Sequence, residues 1–325
     1  MAKNKVYVTR MLEASVMELL RQNFDVEVNT EDRPLIRQEL LANMQGKDAI
    51  LCMLNDVIDA EVLNAAGGKC RIIANYAVGY NNIDIAEATR LKIIVTNTPG
   101  VLTDATADLA WALLFAAARR VPESDRYTRA GKFQGWAPTL FMGRDVTGKT
   151  LGVIGAGRIG QSFAAKSAGF GMKVLYTGNT PKAEFEKACG AAFTNLETLL
   201  RESDFVSLHV PLTPSTKYMI GEKELKLMKK TAILINTARG PVVEEAALVR
   251  ALKEGWIWGA GLDVYENEPF LEPGLAELDN VVLLPHTGSA TFETRANMGK
   301  IAARNIIAVL QGDRPETCVN PEALS

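Results

Sequence analysis

The chain has 325 residues, enough for two domains of ordinary size, and its 47% apolar content supplies two cores. A formal net charge of −2 leaves no broad basic field for nucleic acid, and Cys52, Cys70, Cys189 and Cys318 form no CxxC pair, so reduced thiols and no metal site are expected. Met1-Ala2-Lys3-Asn4-Lys5 leads into a strand-like Val6-Tyr7-Val8 without a signal segment, and the longest apolar run, Leu109–Ala118, is too short for a bilayer; a cytoplasmic enzyme with no membrane partner is expected.

In chain order, Lys5–Thr9 reads as a strand and Ser15–Gln22 as a helix. Val26–Val28, Asp48–Met53, Arg71–Asn75 and Ile93–Asn97 are further short β-rich runs. The alternation predicts a mostly parallel sheet covered by helices. Thr98-Pro99-Gly100 interrupts the chain, and a helix then runs from near Asp104 to Arg119-Arg120, with acids early and bases late as the helix dipole favours. This helix is apolar nearly all round, which predicts burial between domains or between subunits. A second series follows: Thr150–Ile154, Lys173–Tyr176, Phe205–Val210, Ala232–Asn236, Gly259–Val264 and Val281–Leu284 each read as buried strands, with helical stretches between the first five. That is about the strand count of a doubly wound dinucleotide-binding sheet. Ser289–Gln311 reads as a helix with Arg295, Lys300 and Arg304 on polar positions. Coming after the second sheet is complete, it is expected to return to the first domain.

Gly155-Ala156-Gly157-Arg158-Ile159-Gly160 directly follows the strand Leu151–Ile154 and opens a helix. In that context Gly155 permits the tight turn, Gly157 lets backbone approach a pyrophosphate, and Gly160 lets helix and strand pack closely. The helix N-terminus then offers free N–H groups to the phosphates. The next strand ends in Tyr176-Thr177-Gly178-Asn179-Thr180-Pro181-Lys182, with Gly178 where an NAD enzyme carries a ribose-binding acid. With no carboxylate to repel a 2′-phosphate, and with Asn179, Thr180 and Lys182 able to donate to it, the loop favours NADP; a neutral loop accepting NAD as well is the alternative.

Hydride transfer to a carbonyl needs a cation to hold and polarise the acceptor and an acid to protonate the developing alkoxide. The chain has two histidines: His286 follows the strand run Val281–Leu284, and His209 sits at the end of the run Phe205–Val210. His286 lies in Pro285-His286-Thr287-Gly288-Ser289, and His209 precedes Val210-Pro211. Arg239, in Asn236-Thr237-Ala238-Arg239-Gly240, is placed to take a carboxylate with two parallel hydrogen bonds. A carboxylate beside the catalytic histidine would fix its tautomer; Asp263 and Glu268 are both candidates.

Together these residues resemble the D-isomer-specific 2-hydroxyacid dehydrogenase family. The resemblance spans nearly the whole chain and rests on Asn75–Asp84, Thr103–Ala110, Gly155–Gly160, Asn236–Gly240, Gly261–Glu268 and Pro285–Ala290. It implies a Rossmann-type dinucleotide-binding domain, residues 100–289, inserted into a flavodoxin-like substrate domain, residues 1–99 and 290–325. It implies that Arg239 binds the substrate carboxylate and carbonyl, that His286 is the general acid/base, and that Glu268 pairs with it. The N–H groups of Val78 and Gly79 would also grip the carboxylate, and Asp263 would lie near the nicotinamide. Thr106, His209, Val210, Pro211, Thr237, Ala238 and Gly288 would line the cofactor. A homodimer is implied, with the Leu109–Ala118 helix in or near its interface.

Within the family the chain is most similar to the glyoxylate/hydroxypyruvate reductases, on the missing ribose acid and on Trp136-Ala137-Pro138 followed by Gly143. Trp136 fits either the mouth of the site or core packing. Phosphoglycerate dehydrogenases typically keep the ribose acid, and phosphite dehydrogenase needs an extra cation where this chain has Val78. Corepressors that share the fold carry recruitment segments not evident in this sequence.

Overall fold

The computed structural model describes residues 3–324. The chain divides into two compact units, Met1–Leu102 with Ala290–Ser325, and Thr103–Ser289.

The first unit runs β1 (Lys5–Val8), α1 (Ala14–Asn23), β2 (Asp25–Val28), α2 (Arg37–Met44), β3 (Ala49–Cys52), α3 (Ala60–Ala66), β4 (Ile72–Asn75), α4 (Ile85–Arg90) and β5 (Ile94–Thr96). Its five strands are all parallel, in the order β2-β1-β3-β4-β5. This is the flavodoxin-like order. The inner strands are apolar on both faces because helices cover both. Val6, Val8, Leu51, Ile72 and Ala74 pack on one side, with Val16 and Leu20 of α1. Ile50, Cys52, Ile73 and Val95 pack on the other, with Leu40 and Met44 of α2 and Val62 and Leu63 of α3.

The second unit begins with α5 (Thr103–Ala118) and α6 (Val121–Arg129). It continues through β6 (Thr150–Ile154), α7 (Arg158–Lys166), β7 (Lys173–Thr177), α8 (Ala183–Cys189), β8 (Ala192–Phe193), α9 (Leu196–Glu202), β9 (Phe205–Leu208), α10 (Glu222–Leu227), β10 (Ile233–Asn236), α11 (Glu245–Lys253), β11 (Gly259–Leu262) and β12 (Val281–Leu283). Its parallel sheet has the order β12-β11-β10-β9-β6-β7-β8. Counted within the unit this is 3-2-1-4-5-6 with one strand added, and the order reverses between β6 and β9, where open α/β sheets bind their ligands. Leu234, Leu248, Leu252 and Leu262 build the core under α9–α11, and Leu113, Leu114, Phe163 and Ile235 the core under α5 and α7. The chain returns to the first unit as α12 (Phe292–Gln311), capped by Thr291 and packed on α1, β3 and β4.

Two local readings of the sequence need correction. β8 is a strand of two exposed residues, too short to register as an apolar run. β12 is an edge strand, half-buried rather than buried, because only β11 pairs with it. One face of α5 packs within its own unit, against α7, β10 and β11. All four cysteines are free thiols. Among the described residues no group of side chains is suited to a metal, and no helix is long and apolar enough to cross a membrane.

Candidate active site

The glycine-rich turn sits at the carboxyl end of β6. Gly155 has φ +97°, and a Cβ there would lie 2.8 Å from the His209 carbonyl. A Cβ on Gly160 would lie 2.1 Å from Gly155 O, so only glycine lets α7 come this close to the strand. Gly157 differs: a Cβ would meet nothing within 4 Å, yet it caps α7 with no side-chain partner for the helix N–H groups. Packing explains two of the three glycines. The third leaves open backbone at the start of Arg158–Ile159, which fits a pyrophosphate. Thr237 Oγ1 at the end of β10 is buried without a hydrogen-bond partner among the described residues, which also fits a bound group.

Past β7, Gly155 N–H donates to Thr177 O at 2.9 Å, and Gly178, Asn179, Thr180 and Lys182 are exposed. A Cβ on Gly178 would find only Ala156 N, at 4.0 Å. Position 178 therefore lies beside the glycine-rich turn.

The two histidines separate clearly. The His209 ring packs 5.0 Å from Phe163 and its Nε2 is 2.9 Å from Ser207 Oγ. Desolvation pulls its pKa down to about 3, so it stays neutral at working pH. Its backbone, with Val210, lies against Gly155 and shapes the turn; the neighbouring Pro211 O accepts from Thr216 Oγ1 at 2.6 Å. His286 is held at φ +55°, a left-handed conformation costly for a residue with a Cβ. Several contacts fix it there. Asp263 accepts from Thr287 N and Gly288 N, each at 2.7 Å, and Tyr265 Oη donates to Leu284 O at 2.8 Å. Thr106 Oγ1 donates to Gly288 O at 3.2 Å. Asp263 is thus the clamp of the histidine turn.

Glu268 is the acid that pairs with His286: Nδ1 is 2.9 Å from Glu268 Oε2, and Tyr265 N donates to Oε1 at 3.1 Å. Burial pushes the Glu268 carboxyl up. The hydrogen bond and charge of His286, the Tyr265 N–H and the Arg239 charge outweigh this and hold it below its ordinary value. An ionised Glu268 keeps the proton on Nδ1 and leaves Nε2 to exchange a proton with a substrate. A depressed folded-state pKa adds stability above the unfolded value and loses it as pH falls through the folded value. Glu268→Gln is therefore expected to melt below the wild type near neutral pH, and the gap should close on acidification below the carboxylate range. Thermal melts between about pH 7 and about pH 3 check this; a gap independent of pH contradicts it.

Arg239 follows β10. Asn236 fixes the turn, its Oδ1 accepting from Ala238 N and its Nδ2 donating to Arg239 O, both at 3.0 Å. Arg239 Nη1 donates to Ala238 O at 2.7 Å, and no ion pair of Arg239 occurs among the described residues. Desolvation lowers its pKa while Glu268 raises it. A guanidinium does not deprotonate in proteins, so this half-buried cation is suited to an incoming carboxylate. In the first unit, Asn97 Nδ2 holds the Val78 carbonyl at 2.8 Å and Asn75 Nδ2 the Gly79 carbonyl at 2.9 Å.

The family model for the D-isomer specific 2-hydroxyacid dehydrogenase NAD binding domain matches residues 111–288. Glyoxylate reductase of Thermococcus kodakarensis is 55% identical over 98% of this chain and 97% of its own length. That of Pyrococcus furiosus is 52% identical over 99% and 97%. The chain belongs to the D-isomer specific 2-hydroxyacid dehydrogenase family. Among solved structures, an NADPH-dependent glyoxylate/hydroxypyruvate reductase from Sinorhizobium meliloti, in complex with NADP and malonate, superposes with a TM-score of 0.87. It is 31% identical, with 99% of this chain and 98% of that one covered.

As a member of this family the protein is an NAD(P)-dependent oxidoreductase of small 2-keto acids. Sequence reasoning missed Gly240, whose Cβ would lie 1.8 Å from the Tyr265 carbonyl carbon. It brings the Arg239 turn against the loop that carries Glu268, and its place after Arg239 is the only signal the sequence offered. Gly240→Ala is expected to destabilise the protein by about 2 kcal/mol or more, because backbone on both sides must move. Urea unfolding measures this, and a loss within about 0.5 kcal/mol would contradict the close approach. Tyr265 and Glu245 were also missed. The buried Glu245 carboxylate accepts from Glu266 N at 2.7 Å and so steadies the same loop. Both are supports recognisable only once distant strands are assembled.

Proposed function

We propose that the protein is an NADPH-preferring reductase of glyoxylate and hydroxypyruvate that works as a homodimer. The observation that carries the chemistry is the His286–Glu268 pair at 2.9 Å beside an Arg239 without a carboxylate partner among the described residues. When bound, the reduced nicotinamide supplies the hydride. Arg239 holds the substrate carboxylate and polarises the carbonyl. His286 Nε2 donates a proton to the developing alkoxide, and ionised Glu268 stabilises the imidazolium and fixes its orientation. We assign the Val78 and Gly79 N–H groups to the carboxylate as well; their tethered carbonyls keep those peptides in one orientation.

The cofactor would lie along Gly155–Ile159, with Thr106, Val210, Pro211, Thr237, Ala238, Asp263 and Gly288 on its path. Gly178 in place of an acid, with Asn179, Thr180 and Lys182 exposed beyond it, supports NADPH. The names of the archaeal relatives support glyoxylate as the substrate. We assign residues 1–99 and 290–325 to the substrate and residues 100–289 to the dinucleotide. Exposed Val121, Phe133, Trp136 and Met142 gather in one stretch after α5, which supports a subunit contact there; light scattering tests the dimer.

Initial rates with NADPH and NADH, each with glyoxylate and hydroxypyruvate, test the whole reading. Faster oxidation of NADPH with either acid is expected. Turnover with NADH alone would overturn the cofactor assignment, and turnover only with larger keto acids would overturn the substrate assignment.

A further inference from the structure

We propose that Tyr176 is a positioning residue for cofactor selectivity, whose hydroxyl holds the Thr177–Lys182 arc in the shape that receives the 2′-phosphate. The inference rests on the NADPH reading above. Tyr176 is the penultimate residue of β7 and fully buried, its ring edge-on to Phe185 at 5.0 Å and Phe193 at 5.3 Å. Its hydroxyl donates to Glu186 Oε1 at 2.6 Å and accepts from Lys182 N, also at 2.6 Å. Burial and the Glu186 charge both push the hydroxyl pKa up, so it remains a donor at working pH.

Lys182 is the N-cap of α8 and has no side-chain cap of its own, while Glu186 N donates to Lys182 O at 2.9 Å. The far end of the arc is thus tied through Tyr176 to strand and helix together. The near end is tied by Gly155 N to Thr177 O at 2.9 Å. Between these anchors Gly178, Asn179, Thr180 and Pro181 are exposed. A freed arc would spend less time in its competent shape, and apparent affinity falls in proportion to that fraction. The loss would fall on the 2′-phosphate, which the arc meets. It would spare the pyrophosphate, which the Gly155–Gly160 turn meets independently. The expected consequence is a change in the ratio of NADPH to NADH affinity, where a general weakening of the domain would lower both alike.

The test uses the full chain without substrate, titrated with NADPH and with NADH by nucleotide fluorescence. Tyr176→Phe keeps the ring and removes the tether. The NADPH Kd is expected to rise about five- to tenfold and the NADH Kd to change less than about twofold. Amide exchange in residues 178–182 should accelerate in parallel. Glu186→Ala, which removes the acceptor of the hydroxyl and leaves the buried ring intact, should give a smaller shift in the same direction, and Glu186→Gln should restore the ratio. Equal weakening of both nucleotides, or an unchanged ratio in Tyr176→Phe, overturns the inference while leaving the NADPH reading intact. A wild type that binds NADPH no more tightly than NADH overturns that reading itself.

Discussion

Replacing His286 by alanine is expected to lower kcat for keto-acid reduction by about 10²- to 10⁴-fold, the range for loss of a positioned general acid. Cofactor binding should remain within about twofold of wild type, since in the proposed mechanism the imidazole acts on the acceptor and the phosphates lie along the Gly155–Gly160 turn. The geometry makes the expectation specific. His209 cannot substitute, because its ring is packed against Phe163 and held neutral. Glu268 cannot substitute either, because its depressed pKa keeps it ionised and therefore an acceptor at neutral pH. Steady-state kinetics with parallel nucleotide titration check this. Near-normal kcat would remove His286 from the mechanism. A large loss of nucleotide binding would mean that the histidine turn supports the cofactor more than the chemistry.

Gly178→Asp is expected to reverse cofactor preference. The backbone at 178 lies outside the left-handed region, and the added Cβ would meet only Ala156 N at 4.0 Å, so the substitution fits without strain. A carboxylate there repels the 2′-phosphate of NADPH and accepts hydrogen bonds from the ribose of NADH. NADPH affinity should fall by about 30- to 100-fold, corresponding to roughly 2–3 kcal/mol, while NADH affinity rises or holds. Direct titration of both nucleotides decides. Equal weakening of the two would show a damaged turn, and an unchanged ratio would place the 2′-position elsewhere.

The parts of this enzyme legible in its sequence are those whose physics is local. Gly155-Ala156-Gly157-Arg158-Ile159-Gly160 states its turn through Gly155 and Gly160, where any side chain would clash, and the strand before it is a plain apolar run. Gly178 is legible as an absence, because strand and turn fix where the acid should stand. Residue spacing alone left Asp263 and Glu268 both open, and only the family resemblance pointed to Glu268. Both follow β11 within a few residues, and only the folded loop turns Glu268 onto His286 and Asp263 onto the two N–H groups beyond it. The same holds for Tyr176, whose partners lie six and ten residues away across a helix start. β8 was lost because two exposed residues carry no periodicity.

The proposed reaction is direct hydride transfer to the carbonyl carbon of a 2-keto acid, with the proton supplied from His286. The most direct measurement is a reaction of the wild type with glyoxylate and NADPH carrying deuterium at both positions of nicotinamide C4, followed by mass analysis of the product. Glycolate with one deuterium on C2, formed in step with the loss of NADPH, is expected. Product without deuterium, or nucleotide oxidation without glycolate, would contradict it.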